Sequence, residues 1–352
     1  MKLSLDGHKL LYHLDVVNNW FRGEKIYPIY CAISLTQICN YRCIFCVYDS
    51  LKRKEIYLDS ERILSIIKEL HDNGLKALFI SGEGEPLIHP NATEIINESK
   101  NYGVDCGLNT NGFFLTEDVS RKILKDLTFI RVSINGCSAE NYSVIHRAPS
   151  GAYGKTLENL RHAVKLKKEN NLKVTIGAQC IILGENIELI DKLTYDLKKI
   201  GIDYLAFKPF LTIDSTKYRT KIDSSNNKTI ECLKECERIS DDNFKVVVRW
   251  DSLNKLNMRT YDKCLSLPFM IEVDCHGDVY PCGALVGRKG YSYGNIYRHS
   301  YIELMESKKY KSVMEKIYNE LNVHKCMSNC RNDAVNRFLW ELKHPPEHVN
   351  FI

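Results

Sequence analysis

Three cysteines, Cys39, Cys43 and Cys46, stand close together in the spacing C-x3-C-x2-C. With 14 cysteines in 352 residues, chance produces such a triple only about 0.02 times per chain. A structural zinc site uses four closed ligands, and no fourth Cys or His follows within the next several residues. Three thiolates on one loop instead fit an iron-sulfur cluster that leaves one metal corner open to an external ligand.

A second group of cysteines lies in the C-terminal part of the chain. The segment between Cys275 and Cys282 predicts a β-hairpin with Gly277 in its turn, and Cys326-x3-Cys330 precedes a predicted helix. Together with Cys264, a hairpin and a cysteine-bearing helix start can form a four-thiolate site. Four thiolates bind either zinc or an iron-sulfur cluster, so both readings stay open here.

Composition favours metal binding and catalysis over disulfide bonds as the use of these cysteines. The chain is 44% hydrophobic and 26% charged with a net charge of +5, which fits a globular protein. No apolar run approaches the roughly 18 residues that a membrane helix needs, and the start lacks a secretory signal. We therefore predict a reducing, cytoplasmic setting without membrane or nucleic-acid partners, whereas an anionic group on a substrate remains possible.

Short apolar and β-branched runs alternate with helical patterns along most of the chain. This rhythm predicts a parallel α/β sheet, either open and doubly wound or an incomplete barrel, because six repeats are too few for a closed eight-fold barrel. In both architectures the carboxyl ends of the strands carry the chemistry. The predicted strands are 32–35, 77–81, 104–108, 130–134, 174–182 and 204–207, and the predicted helices are 8–21, 60–72, 92–101, 117–125, 155–170 and 187–200.

The alternating pattern stops after Phe210. A polar stretch, 212–228, precedes a predicted helix at 229–239 and a predicted strand at 244–250. We therefore predict a helical extension over 1–29, a barrel over 30–225 and a smaller domain over 226–352.

The first cysteine motif, with the aromatic Phe45 before its last cysteine, resembles the signature of the radical S-adenosylmethionine (SAM) superfamily. The resemblance implies a partial (β/α)6 TIM-like barrel and a 4Fe-4S cluster held by Cys39, Cys43 and Cys46, with SAM on the fourth iron. It also implies reductive cleavage of SAM to a 5'-deoxyadenosyl radical that abstracts hydrogen from a substrate. An external one-electron reductant of the flavodoxin or ferredoxin type would supply the electron.

Further motifs support this resemblance at other predicted strand ends. The run Gly82-Glu83-Gly84-Glu85-Pro86 is similar to the family's Gly-Gly-Glu-Pro motif, which holds the SAM amino group, with Glu83 between the two glycines. The same resemblance implies SAM contacts for Asn109, Ser133 and Gln179, and a SAM or substrate position for Lys208. Asn135 stands where an Asp is commoner. A buried Gln179 that satisfies the backbone, and a Lys208 that extends along a strand end, are the structural alternatives.

The second cysteine group resembles the SPASM/Twitch auxiliary domains of radical SAM enzymes, in the short form with one cluster. The resemblance implies that Cys264, Cys282, Cys326 and Cys330 hold a second 4Fe-4S cluster, whereas Cys275 takes a position that is usually not a ligand. Zinc held by the same four residues is the alternative.

These motifs lead to three functional hypotheses. The first is a radical SAM oxidoreductase or epimerase that acts on a polar small molecule, such as a sugar, an aminocyclitol or a nucleotide-linked sugar. In an epimerase, Cys180 or Cys275 would return a hydrogen atom, and Lys208 would assist at the substrate. The second hypothesis is modification of a ribosomally made peptide. The third is a structural zinc-binding module.

Overall fold

The computed structural model describes residues 7–50, 53–210, 218–219, 226–254, 258–327 and 330–351. Most of the polar stretch at 212–228 lies outside these residues. No helix in the described ranges is both long and apolar enough to cross a membrane. The helices are α1 (Leu14–Phe21), α2 (Ser60–Asp72), α3 (Ala92–Asn101), α4 (Glu117–Ile123), α5 (Ala139–His146), α6 (Ala152–Glu169), α7 (Ile190–Ile200), α8 (Asn227–Arg238), α9 (Trp250–Asn254), α10 (Tyr301–Glu306), α11 (Lys308–Glu320) and α12 (Asp333–Lys343).

The strands of the described residues form one sheet in the order β10-β9-β8-β1-β2-β3-β4-β5-β6-β7. Strands β1 to β7 pair in parallel, β8 pairs in parallel with β1, and β9 and β10 pair antiparallel. The strands are β1 (Tyr30–Ile33), β2 (Ala77–Ile80), β3 (Asp105–Thr110), β4 (Leu127–Ser133), β5 (Thr175–Ile182), β6 (Tyr204–Pro209), β7 (Lys245–Val248), β8 (Met270–Val273), β9 (Asp278–Tyr280) and β10 (Gly294–Asn295).

The predicted α/β architecture is confirmed, and the sheet extends further than predicted. The predicted strand at 244–250 is β7, which pairs with β6 as a seventh parallel strand. The C-terminal hairpin is also continuous with the barrel sheet, since β8 lies beside β1. The helices predicted at 60–72 and 92–101 have these bounds, and the Asp59 side chain caps α2 by accepting the Arg62 N–H at 2.8 Å. The segment predicted as one helix at 8–21 begins with a 3-10 turn, Leu10–Tyr12, and α1 follows it.

The two faces of the sheet differ in polarity because strand side chains alternate between faces. Residues on the outer face, such as Ile33, Leu78 and Val132, are buried and belong to the main hydrophobic core. On the inner face, Asn109 lies beside Arg131, and Ser133 lies beside Gln179. The barrel therefore presents polar side chains inward, toward the carboxyl ends where the predicted motifs stand.

Candidate active site

The loop after β1 carries Cys39, Cys43 and Cys46, all of them half-buried. Its backbone is held against the end of α5, where the Ile44 N–H donates to the Ile145 carbonyl at 2.9 Å. Burial, followed by the charges of Cys46 and Cys39, holds the pKa of Cys43 well above its usual value. The three thiols are therefore close enough to act on one another. Neighbouring thiolates repel one another, and bound iron ions between them offset this repulsion.

A guanidinium lies beside the last cysteine of this loop. Arg53 donates to the Cys46 Sγ at 3.4 Å and to the Tyr41 carbonyl at 3.1 Å. A positive donor at this distance stabilises the thiolate form, which is the form that binds metal. The cysteine spacing does not predict this residue.

A buried histidine contacts the middle cysteine. The His146 Nδ1 lies 3.3 Å from the Cys43 Sγ, while its Nε2 accepts the Asn135 backbone N–H at 3.0 Å. Burial lowers the pKa of His146 to about 3, so the ring is neutral and its one proton sits on Nδ1, directed at the sulfur. The Phe45 ring lies 6.0 Å from the imidazole, nearly perpendicular to it. Asn135 has a structural role, since its Oδ1 accepts the Ile181 N–H at 2.7 Å.

The loop after β2 packs directly on the cysteine loop, and two glycines permit this contact. Gly82 has φ +127°, and a Cβ there would lie 1.8 Å from the Ser34 Oγ. A Cβ on Gly84 would lie 2.3 Å from the Ile38 carbonyl oxygen. The same carbonyl accepts the Glu85 N–H at 2.8 Å. Only glycine allows so close an approach of the two backbones.

The Glu85 carboxylate joins the ends of β2 and β3. It accepts the Thr110 hydroxyl at 2.6 Å, the Asn111 N–H at 2.7 Å and the Leu87 N–H at 3.1 Å, and it is buried. Burial raises the pKa of Glu85 to about 7, while these hydrogen bonds oppose the rise. Pro86 follows as the first residue of a short 3-10 helix. The carboxylate therefore stabilises the shape of the loop.

Glu83, the residue between the two glycines, points toward the C-terminal hairpin. Its carboxylate accepts from the Gln37 Nε2 at 2.8 Å and from the Cys275 backbone N–H at 3.3 Å. The Cys275 Sγ lies 3.4 Å from the same carboxylate. Cys275 is thus buried beside the predicted SAM motif. The carboxylate also raises the pKa of the thiol, although burial is the larger cause.

The other predicted SAM and substrate residues share the inner face of the sheet. Asn109 accepts the Arg131 Nε–H at 3.0 Å, and Ser133 pairs in register with Gln179. Lys208 lies on the same face near the end of β6. Burial, followed by nearby guanidinium groups, lowers the pKa of Lys208 to about 7. The strand ends thus bring together residues that are far apart in sequence.

The structure does not bring Cys180 to this face. Cys180 is buried on the helix-facing side of β5, where the Asn186 Nδ2 donates to its sulfur at 3.5 Å. A half-open surface groove lies elsewhere, beside α1 and α12, and contains none of the predicted site residues; it is lined by Phe21, Asp262, Lys263, Leu265, Tyr318, Trp340, Lys343 and His344.

The second thiol group forms around the hairpin and the start of α12. Cys264, Cys282, Cys326 and Cys330 are all half-buried. Burial, followed by the charge of Cys264, raises the pKa of Cys282 to about 12. A hydrogen bond from Cys330 lowers the pKa of Cys326. The thiols are therefore close enough for their charges to interact, although Cys282 and Cys326 are more than 40 residues apart in the sequence.

Buried polar side chains hold the loops that carry these thiols. Asn336 donates to the Cys264 Sγ at 3.5 Å, and its Oδ1 accepts the Leu265 backbone N–H at 2.6 Å. Arg259 donates to the Asp333 carboxylate at 2.5 Å and to the Met327 carbonyl at 2.6 Å. The cysteine pattern does not predict these residues, which lie in a loop and a helix whose contacts form only in the folded chain.

Both donor sets fit iron-sulfur clusters. Across the described ranges, no group of three or more His, Cys, Asp or Glu side chains is arranged to hold a single metal ion. A 4Fe-4S cluster takes each thiolate at a different corner, so its ligands stand further apart than those around one ion. The first set supplies three thiolates, with hydrogen bonds to two of the sulfurs. The second supplies four.

Family comparisons agree with these two sites. Residues 33–197 match the radical SAM superfamily, and residues 264–332 match the iron-sulfur cluster-binding domain SPASM. One curated relative is the tungsten-containing aldehyde ferredoxin oxidoreductase cofactor-modifying protein of Pyrococcus furiosus, 22% identical over 80% of this chain and 82% of that protein. A probable GTP 3',8-cyclase of Saccharolobus islandicus is 27% identical over 50% of this chain, and the match spans only 59% of the cyclase.

Solved structures show the same fold at low sequence identity. Streptococcus suis SuiB bound to S-adenosylmethionine superposes with a TM-score of 0.66 at 14% identity, over 85% of this chain and 70% of SuiB. The anSMEcpe structure with bound AdoMet and Cp18Cys peptide superposes with a TM-score of 0.60 at 18% identity, over 88% of both chains. The cysteine motif, the loop after β2 and the two family matches together identify this chain as a member of the radical SAM superfamily with a C-terminal SPASM iron-sulfur domain.

Proposed function

We propose that this protein is a radical SAM oxidoreductase that removes a hydrogen atom from a C–H bond of a polar substrate bound inside the barrel. The open-site cluster and SAM, when bound, supply the radical that this step needs. The observation that carries the proposal is a contact between the auxiliary loop and β1, the strand that leads into the first cysteine loop. Arg331, directly after the auxiliary residue Cys330, reaches the barrel strand β1 and donates to the Tyr30 hydroxyl at 2.7 Å.

The position of the auxiliary site supports oxidation over epimerisation. A cluster held near the substrate can accept the second electron of a two-electron oxidation, and the Arg331 contact places the auxiliary loop against the inner face. Epimerisation instead requires a hydrogen donor near the substrate. Cys180 faces away from the barrel interior, and the Cys275 Sγ contacts the Glu83 carboxylate.

Two substrate classes have support. The SuiB structure bound to precursor peptide SuiA, and the anSMEcpe structure with bound peptide, favour a peptide. The Pyrococcus furiosus relative, a cofactor-modifying protein, favours a small polar molecule. The short auxiliary domain also favours the small molecule. A sugar, an aminocyclitol and a nucleotide-linked sugar remain members of this second class.

Iron analysis and SAM cleavage in anaerobically purified protein test the proposal. We expect about eight irons per chain, and 5'-deoxyadenosine after reduction with dithionite. Replacing Cys39, Cys43 and Cys46 together by Ala should abolish SAM cleavage and leave about four irons. Cys232→Ala, on α8, is the matched control and should change neither value. Stoichiometric zinc, or SAM cleavage by the triple variant, would overturn the proposal.

A further inference from the structure

Four basic side chains meet on the inner face of the sheet, although they come from distant parts of the chain. Arg131 lies on β4 and Lys208 near the end of β6, Arg249 directly follows β7, and Arg331 follows the auxiliary residue Cys330. In β6, Ala206 pairs with Gln179 and Val247, which belong to the inner face. Lys208 stands two residues after Ala206, and Arg249 stands two residues after Val247. Because strand side chains alternate between faces, both share the inner face.

Ring contacts show how close two of these groups are. The Arg131 Cζ lies 5.5 Å from the centre of the Phe79 ring, and the Arg331 Cζ lies 5.7 Å from the same centre. Two guanidinium groups thus share one buried aromatic ring as a cation-π partner. Their hydrogen-bond partners are neutral: Asn109 accepts from Arg131, and the Tyr30 hydroxyl accepts from Arg331.

Among the described residues, three of these cations have no carboxylate in direct contact. Within the ranges that the structure describes, no carboxylate lies within 4.0 Å of the charged nitrogens of Arg131, Lys208 or Arg331. Burial and then the charges of Arg131, Arg249 and Arg331 shift the pKa of Lys208 downward. Glu272 is a buried carboxylate that acts on Arg331 from a greater distance. Like charges held close together repel one another, and an anion among them removes that cost.

The four cations are not enclosed by the packed core and stay within reach of a ligand. Arg131, Lys208 and Arg249 are half-buried on the inner face, and the exposed Arg331 contacts Phe79 and Tyr30 of the same face. A folded chain normally spreads its cations over the outer surface. Cations that gather inside, around an accessible space, are typical of a site that binds an anion.

We propose that Arg131, Lys208, Arg249 and Arg331 bind an anionic group of the substrate, a phosphate or a carboxylate. Guanidinium groups donate pairs of parallel hydrogen bonds that match the oxygens of both groups. This inference rests on the proposed function, because it assigns the barrel interior to the substrate. It narrows the substrate to molecules that carry a negative charge near the reacting C–H bond.

Calorimetric titration of the reconstituted protein, with SAM present in excess, tests the inference. Sulfate serves as the phosphate probe and acetate as the carboxylate probe. We expect one of them to bind, and Lys208→Met and Arg331→Gln to weaken that binding about tenfold or more, as the loss of a charge-assisted contact does. Lys192→Met, on the outer surface of α7, is the matched control and should leave binding unchanged.

The conservative variants Arg331→Lys and Arg131→Lys separate binding from folding, since they keep the charge and should bind with a smaller loss. Three outcomes would overturn the inference. Neither anion binds, or the Lys208→Met and Arg331→Gln variants bind it as tightly as the wild type does. The third is complete competition between the anion and SAM, which would assign the four cations to the SAM carboxylate. Wild-type 5'-deoxyadenosine formation is measured separately. If the wild type cleaves SAM but binds neither anion, the inference fails and the proposed function stands.

Discussion

Single hydrogen bonds reach two of the three sulfurs that we predict to hold the first cluster. A neutral His146 donates from Nδ1 to Cys43, and Arg53 donates to Cys46. Donors directed at a ligand sulfur stabilise negative charge on it, and therefore favour the reduced cluster. At the proposed cluster site, these two residues would adjust the energy of the electron transfer that begins SAM cleavage.

Replacing His146 by Phe should lower the reduction potential of the SAM-binding cluster. The lost hydrogen bond is worth about 1.4 kcal/mol, which corresponds to about 59 mV for a one-electron couple. A redox titration followed by electron paramagnetic resonance measures the midpoint potential. His71→Gln, on the exposed end of α2, is the control. An unchanged midpoint in the Phe variant would show that the contact with Cys43 has no electronic effect.

Lys208 should make anion binding depend on pH. Its pKa is lowered to about 7 by burial and by Arg131, Arg249 and Arg331, so below pH 7 it is protonated and attracts an anion. As pH rises through 7 the ammonium is lost. If sulfate raises this pKa by about one unit, its affinity should fall about tenfold between pH 6 and pH 9. Calorimetry with sulfate, whose charge is constant over this range, measures the change. A similar fall in Lys208→Met would exclude this lysine as its cause.

At the scale of elements, loops at the carboxyl ends of β1, β2 and β3 form the predicted SAM side of the site. The loop after β2 hydrogen-bonds to the cysteine loop through Glu85 and Ile38, and the Glu85 carboxylate reaches Thr110 at the end of β3. Parallel pairing brings these three ends to one edge. The shape of the predicted site thus depends on direct contacts between these loops, which leave no room for a Cβ at Gly82 or Gly84.

Replacing Gly84 by Ala should separate the two loops. The added Cβ would meet the Ile38 and Thr36 carbonyl oxygens at 2.3 and 2.6 Å, and backbone atoms cannot move away as a flexible side chain does. We expect a loss of about 1 to 3 kcal/mol in the free energy of unfolding and weaker SAM binding. Gly154→Ala, in α6 with no neighbouring atom within 4 Å, should be neutral or stabilising. Denaturation with urea and SAM titration measure both effects. Equal stability of the two variants would contradict the close approach.

At the scale of the whole molecule, the auxiliary part completes the sheet of the barrel. Strand β8 pairs with β1 along its full length, from Tyr30 beside Met270 to Ile33 beside Val273. A second hydrophobic cluster joins the N-terminal helix to the C-terminal one and includes Val17, Phe269 and Leu339. The two cysteine sites therefore sit on one continuous framework.

A chain that ends at residue 254 should aggregate. Removing β8 exposes the hydrogen-bonding edge of β1 and the apolar cluster beside α1, and exposed strand edges pair with other chains. A chain that ends at residue 344 keeps every strand and loses a segment whose described residues are exposed, so it should remain monodisperse. Light scattering after size-exclusion chromatography compares the two. A monodisperse barrel from the shorter chain would contradict this role of β8.

The cysteine spacing, the glycine-rich run and the six-fold alternation were enough to predict the family, the fold and the existence of two clusters. These signals are local, because a metal motif and a tight turn are each made by residues close in sequence. The seventh parallel strand, the pairing of β8 with β1, and the roles of His146, Arg53 and Asn336 depended on the tertiary structure. So did the meeting of Arg131, Lys208, Arg249 and Arg331, because side chains up to 200 residues apart share a face only once strand register and barrel curvature are set.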